Sequence, residues 1–213
     1  GHDRYDYLPG QFQFITFHCE APEVPVEEHH WTISSTPTRK GFVTSTIKAS
    51  GDFTAQVSKI RPGDTAEVVA PYGRFSYVLH PTEEDLVMIA GGIGITPIMA
   101  MLRHMHDTEA DREVGLLYAN QTPQDIVFRQ ELDEVASSGK PRLSVVHVLN
   151  RPDESWDGPS GYIDAELIAE HARQLEGKAF YVCAPPKMTE MVTGALLRLG
   201  VPATRIHSER FAL

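Results

Sequence analysis

Apolar residues recur along this chain with two different periods, and the change falls near residue 80. In the first third they alternate with polar residues over short runs. Residues 11–18, 31–36, 42–49, 65–69 and 75–79 read as strands, because successive side chains of a strand point to opposite faces. The turn signals Leu8-Pro9-Gly10, Arg61-Pro62-Gly63-Asp64 and Pro71-Tyr72-Gly73 separate them. Short strands with Gly/Pro turns predict a small antiparallel barrel or sandwich, with a short helix over 51–60. After the polar stretch His80-Pro81-Thr82-Glu83-Glu84-Asp85, strands at 86–90, 114–118, 143–148, 179–182 and 205–208 alternate with helices at 95–106, 124–136, 164–174 and 186–199. That alternation predicts an α/β doubly wound parallel sheet. Asp164 suits an N-cap and Gly200 a helix stop. The whole reads as α+β in two domains, residues 1–80 and 85–213.

Residues 90–105, AGGIGITPIMAMLRHM, place a glycine-rich turn directly between an apolar strand and a helix. Gly91, Gly92 and Gly94 let a phosphate approach backbone N–H groups at a helix N-terminus without a Cβ in the way. Pro97 suits the opening turn of that helix, where a missing N–H costs little. The spacing departs from GxGxxG, and glycines serving only tight strand-to-helix packing are the plainer alternative. An open parallel sheet binds ligands beyond the carboxyl ends of its strands, where strand order reverses. The 91–96 loop, the 120–124 loop and Cys183-Ala184-Pro185-Pro186 fall there, with Asn120, Asn150 and Arg151 at strand ends.

Composition narrows the partners. The formal charge of −10 opposes binding to nucleic acid or anionic lipid. Cys19 and Cys183 are the only cysteines, too few for a disulfide framework, an iron–sulfur cluster or a thiolate zinc site. His29 and His30 are neighbours on an expected strand and point to opposite faces, a poor chelate, so no metal is expected. No apolar run is long enough to span a membrane.

The segments HHWTISS, TIKASGDFT, PYGRF, GGIGITP, LYANQTPQDIVF, VLNRPDESW, YVCAPP and SERFAL follow one another as in the ferredoxin–NADP reductase superfamily, which the chain resembles over nearly its whole length. Within it, EEHHWTISS is most similar to the flavin motif of ferric reductases and NADPH oxidase dehydrogenase domains. The resemblance implies an antiparallel β-barrel domain for FAD, here without its opening strands, and an α/β domain for NADH or NADPH. His29, His30, Trp31 and Thr32 then hold the flavin, with the aromatic flanking the ring and the Thr32 hydroxyl bonding its hydride-accepting nitrogen. Ile47, Lys48, Gly51, Asp52, Phe53 and Thr54 match the phosphate-holding strand and turn. Gly91, Gly92, Gly94, Thr96 and Pro97 match the nicotinamide dinucleotide loop. Cys183, with Ala184 and Pro185, sits near the nicotinamide, and Phe211 covers the flavin as a movable lid. Thr32, Cys183 and Phe211 stand nearest the reacting atoms, with no covalent role for the cysteine.

Two departures stand out. His29 occupies the place where the wider superfamily has Arg, and Ala184 the place of a Gly. The implied activity is hydride transfer from NAD(P)H to FAD, followed by single-electron release to a haem, iron–sulfur or ferric acceptor. Arg151 offers one cation for a 2′-phosphate but Asn120-Gln121 offers no second, which leans toward NADH. An oxygenase reductase component, a flavohaemoprotein-like reductase or a non-catalytic nucleotide sensor are the alternatives. The chain is expected to be the dehydrogenase part, on the cytoplasmic side, of a larger membrane-bound ferric-reductase-like protein. This part itself is expected to insert no segment into the membrane.

Overall fold

The computed structural model describes residues 5–172, 175 and 177–209. It opens with an antiparallel sheet of β1 (Phe12–His18), β2 (Glu28–Thr32) and β3 (Thr65–Tyr72), in the order β2-β1-β3. The register against β2 runs from Phe12↔Thr32 to Thr16↔Glu28. Along β1, Gln13 and Ile15 are buried while Phe12, Phe14 and Thr16 are half-buried, the alternation expected of a sheet covered better on one face. β3 is exposed along nearly its whole length. Among the described residues this sheet does not close into a barrel. Helix α1 (Asp52–Gln56) runs into a 3-10 turn over 57–59, as the sequence predicts.

Two expected strands are not strands. Residues 42–49 form no ladder. This hydroxyl-rich segment is tied to the end of β2 largely through side chains. Besides the Ser34 N–H bond to the Thr44 carbonyl at 2.8 Å, the Ser34 hydroxyl lies 3.1 and 3.2 Å from those of Thr44 and Thr46, and Ser45 Oγ donates to Thr32 O at 2.8 Å. Ser and Thr side chains compete with the backbone for such partners and displace regular pairing. Residues 75–79, the second, contain a 3-10 turn at 77–79. Phe75 and Tyr77 are buried in the core of the following sheet instead of extending their own. The 31–36 strand also shifts, since β2 ends at Thr32.

The second part is a five-stranded sheet of β4 (Leu86–Gly91), β5 (Glu113–Asn120), β6 (Arg142–Leu149), β7 (Ala179–Cys183) and β8 (Ile206–Ser208), all parallel in the order β6-β5-β4-β7-β8. Every residue of β4 and β7 is buried, because helices cover both faces. Helices α2 (Ile95–Asp107) and α3 (Arg129–Ser138) meet Met88, Tyr118 and Tyr181 on one face. On the other, α4 (Ala165–His171) and α5 (Pro186–Arg198) meet Val87, Ile89, Phe180 and Val182. Each such side chain contributes about 1.5–3 kcal/mol by leaving water. The Asp164 carboxylate accepts the Leu167 N–H at 2.9 Å and caps α4, as expected. Helix α3 starts later than expected, because a 3-10 turn at 123–125 precedes it. No helix among the described residues is long and apolar enough to cross a membrane.

Polar contacts seam the two parts. Arg103 of α2 makes a two-bond pair with Glu131 at 2.7 and 2.6 Å and also donates to the Ser34 carbonyl after β2. Its guanidinium lies 4.8 Å from the Phe128 ring centre. Tyr77 Oη and His104 Nδ1 are 2.6 Å apart, and Arg112 donates to the Glu83 carbonyl. Thr38 donates to Asp107.

Candidate functional site

The strand order reverses at β4, with β5 and β6 on one side and β7 and β8 on the other. The 91–96 loop therefore emerges beside the 183–185 loop, and the two pack tightly. A Cβ on Gly94 would lie 2.1 Å from the Cys183 carbonyl oxygen, and one on Gly91 would lie 2.7 Å from Met188 Sδ and 2.9 Å from Ala184 Cβ. These two glycines are needed for close packing, the plainer of the two expected roles. Gly92 differs. Its φ of +52 favours glycine, and nothing lies within 4 Å of a Cβ built there. It leaves the approach to the α2 N-terminus open.

Thr96 is buried and its hydroxyl donates to the Ile93 carbonyl at 3.0 Å, closing the turn. Pro97 is buried in the first turn of α2. Cys183 is buried at the end of β7, and burial, with the Glu209 carboxylate adding, pushes its thiol pKa far up. The thiol stays protonated, a wall and not a nucleophile. Ala184 is half-buried and Pro185 exposed; the Ala184 carbonyl accepts the Thr189 hydroxyl at 3.0 Å.

Asn120, Asn150 and Arg151 come together where β5 and β6 end. The Asn150 N–H donates to the Asn120 carbonyl at 3.1 Å, and the Arg151 N–H to the Gln121 carbonyl at 2.8 Å. Asn150 and Arg151 are exposed. The Asn120 carboxamide is buried, and neither its nitrogen nor its oxygen makes a hydrogen bond of ordinary geometry, although the Tyr118 hydroxyl is near. An unmet buried amide costs about 1–3 kcal/mol. It is the kind of group a bound ligand satisfies.

In the antiparallel part, residues from two separate motifs meet. Trp31 stacks on His29 with ring centres 5.6 Å apart, and Phe53 of α1 lies 3.8 Å from the His29 ring centre and 5.9 Å from that of Trp31. His30 lies on the opposite face of β2, against Phe12 and Phe14. Thr32 is buried at the end of β2, an edge strand. Ile47 is half-buried; Lys48, Gly51 and Asp52 are exposed. The Thr54 hydroxyl accepts the Ser50 and Gly51 N–H groups at 2.9 and 3.0 Å, so those two donors are already used. Lys48 lies within electrostatic reach of Asp125, whose carboxyl is held below its usual range first by the Thr122 hydroxyl and N–H, with a lesser contribution from Lys48.

Glu209, in the segment SERFAL, was not among the expected site residues. The structure brings its carboxylate beside Gly73, and it accepts the Phe75 N–H. Burial raises its pKa, and its charge reaches Cys183. Proximity to Cys183 is a tertiary fact that nothing local encodes. Phe211 lies outside the described residues. A groove of about 880 Å³ is lined by His18, Cys19, Lys59 and Arg61 at the far end of β1 from Thr32 and holds none of the expected residues.

A doubly wound sheet with a glycine turn at its switch point, preceded by an antiparallel sheet carrying an aromatic–hydroxyl strand, defines an FAD/NAD-binding oxidoreductase domain pair. The family profile "Oxidoreductase NAD-binding domain" matches residues 88–194, and the chain belongs to that family. The chain is 34% identical over 191 residues to NADH-cytochrome b5 reductase 1 of Cryptococcus neoformans, covering 83% of this chain and 65% of that protein. It is 36% identical over 157 residues to rat NADH-cytochrome b5 reductase 2, covering 66% and 57%. The chain thus spans less than two thirds of the length of these relatives.

Among solved structures, the cytochrome b5 reductase domain of Ulva prolifera nitrate reductase superposes with TM-score 0.80 at 26% identity, over 95% of this chain and 85% of that one. The flavohem-like FAD/NAD binding domain of nitric oxide dioxygenase from Vibrio cholerae gives 0.84 at 26%, over 97% and 86%.

Proposed function

We propose that this chain oxidises NADH, in preference to NADPH, on a bound FAD and passes the electrons to a haem protein. Residues 1–80 serve the flavin and 85–213 the nucleotide. The observation that carries the reading is the switch point itself: an open approach at Gly92 beside the buried, unpartnered Asn120 carboxamide. Bound FAD would supply a centre that takes two electrons together and releases them singly.

The chain's own residues bind, orient and exclude water. The 91–96 backbone N–H groups would hold the nucleotide pyrophosphate, and the Asn120 carboxamide would meet the sugar or base. Asn150 and Arg151 border that pocket from β6. At the end of β2, Trp31 and Thr32 would hold the flavin ring between an aromatic side chain and a hydroxyl. His29 and Phe53 hold the Trp31 ring in place by stacking. Lys48 and the N–H groups of the 51–54 turn not already taken by Thr54 would hold the flavin phosphates, where His29 supplies less charge than Arg would. Cys183, Ala184 and Pro185 wall the nicotinamide end, with Glu209 placed to hold a proton there. A haem acceptor is favoured because the curated relatives described above are named cytochrome b5 reductases.

The test is an anaerobic stopped-flow titration of the yellow protein with NADH and with NADPH, followed by oxidation with a b-type cytochrome or a ferric chelate. Faster bleaching by NADH and rapid reoxidation by the cytochrome are expected. Absence of bleaching overturns the enzymatic reading and leaves a nucleotide-binding module. Reoxidation by the ferric chelate alone moves the proposal to a ferric-reductase parent. The Gly92→Val variant is expected to raise the nucleotide dissociation constant at least tenfold, roughly, while flavin content is kept, since a branched side chain closes the approach and is strained at positive φ. Loss of flavin with nucleotide affinity intact would reverse the domain assignment.

A further inference from the structure

Three ligand-bearing side chains far apart in the sequence converge where the linker meets the outer edge of the parallel sheet. His80 ends the 77–79 turn, Glu83 lies three residues on, and His207 lies in β8. One donor atom from each falls within 4.8 Å of the others. His207 Nε2 stands 2.9 and 3.1 Å from the two Glu83 carboxylate oxygens. The His80 ring centre is 4.1 Å from that of His207, with the planes tilted by 32°. The cluster lies along β7 and β8 and ahead of β4, away from the strand ends that carry the glycine loop.

Glu83 is 6% exposed. A buried carboxylate is costly unless its charge is met. Among the described residues its ion-pair contact is with His207, and the nearby Arg112 guanidinium donates to the Glu83 carbonyl, not to the carboxylate. The Tyr181 hydroxyl donates to Glu83 Oε2 at 2.8 Å. A ligating carboxylate steadied by an outer hydrogen bond is the arrangement metal sites use to orient their ligands. A carboxylate-to-imidazole strut would need only His207 and Tyr181. It leaves unexplained a second imidazole packed against the first with a donor atom within 4.8 Å of the other two.

We propose that His80, Glu83 and His207 form a site for a divalent metal of the zinc class, with a fourth position open to water. Two imidazoles and a carboxylate are a normal donor set for zinc. Ligands about 2.0–2.1 Å from the ion in a tetrahedron stand roughly 3.4 Å apart. The Glu83–His207 pair would open by a few tenths of an ångström and the widest pair would close by up to about 1.4 Å, within reach of side-chain rotation for the partly exposed imidazoles. The ion would clip the inter-sheet linker to β8, a bridge between elements that loop closure makes entropically valuable.

The test uses the full chain stripped with a chelator and titrated with Co²⁺ for its tetrahedral absorption, and with Zn²⁺ by calorimetry and thermal melting. One tight equivalent, a rise in Tm with Zn²⁺, and weakening of at least about tenfold in His80→Ala, His207→Ala and Tyr181→Phe are expected. His80→Ala keeps the proposal falsifiable if the more buried variants fold poorly, and its near-UV circular dichroism verifies the fold. A folded wild-type chain that binds no Co²⁺ or Zn²⁺ below millimolar concentration overturns the site. So does a His80→Ala variant that binds either ion as tightly as the wild type.

Discussion

The two sheets are held by different physics. The parallel sheet buries β4 and β7 completely between two pairs of helices, and its glycine loop is locked by van der Waals contact with the neighbouring loop. The antiparallel sheet leaves β3 exposed and fastens its neighbouring segments with hydroxyl-to-hydroxyl and hydroxyl-to-carbonyl bonds. Close packing is unforgiving of a single added atom, while a network of part-buried hydroxyl bonds loses only about 1 kcal/mol per bond. The close-packed half holds the glycine turn at the switch point, and the hydroxyl-tied half carries the aromatic–hydroxyl strand. Arg103 is the side chain that most directly couples them.

The sharpest way to break this contrast is Gly94→Val. Its Cβ would sit 2.1 Å from the Cys183 carbonyl oxygen, so β4 and β7 must part; a loss of about 3 kcal/mol or more is expected in urea unfolding. A near-neutral result would mean that the two loops are not locked. Next in size, Arg103→Met removes the Glu131 pair and the Ser34 contact and leaves Glu131 without its partner. We expect a loss of about 1–3 kcal/mol, with limited proteolysis cutting first in the antiparallel half. Uniform protection of both halves would show that Arg103 does not couple them.

In the hydroxyl-tied half, Thr32→Val should slow flavin reduction roughly three- to tenfold with little change in stability or FAD affinity, because one hydrogen bond near the reacting atoms is lost. Stopped-flow reduction at saturating NADH measures it, and an unchanged rate removes Thr32 from the site.

The smallest effect concerns pH. Burial lowers the pKa of His104 and of His147, the latter helped by the Arg129 charge. Folding therefore favours the neutral rings. Their contribution is complete above the unfolded value of about 6.5 and is lost as the pH falls below it through the depressed folded values. The urea midpoint should drop between pH 7.5 and pH 5, and His147→Leu should flatten that slope, since both His147 ring nitrogens are buried and unpartnered. A midpoint that rises on acidification would contradict both assignments.

The sequence by itself determined the alternation of strands and helices after residue 80, the glycine turn at the head of α2, the Asp164 cap and the aromatic–hydroxyl motif of β2. These are local signals: continuous burial has a short period, and a turn or cap is written within a few residues. Tertiary structure alone decided the rest. It turned residues 42–49 away from a ladder because their hydroxyls found partners at Thr32 and Ser34, at and just past the end of β2, and it drew Phe75 and Tyr77 out of the first sheet into the core of the second. It also set Phe53 against His29, brought Glu209 within reach of Cys183, and gathered His80, Glu83 and His207 across more than half the chain. Such meetings depend on how two sheets dock, and docking is set by long-range packing that no short window of sequence contains.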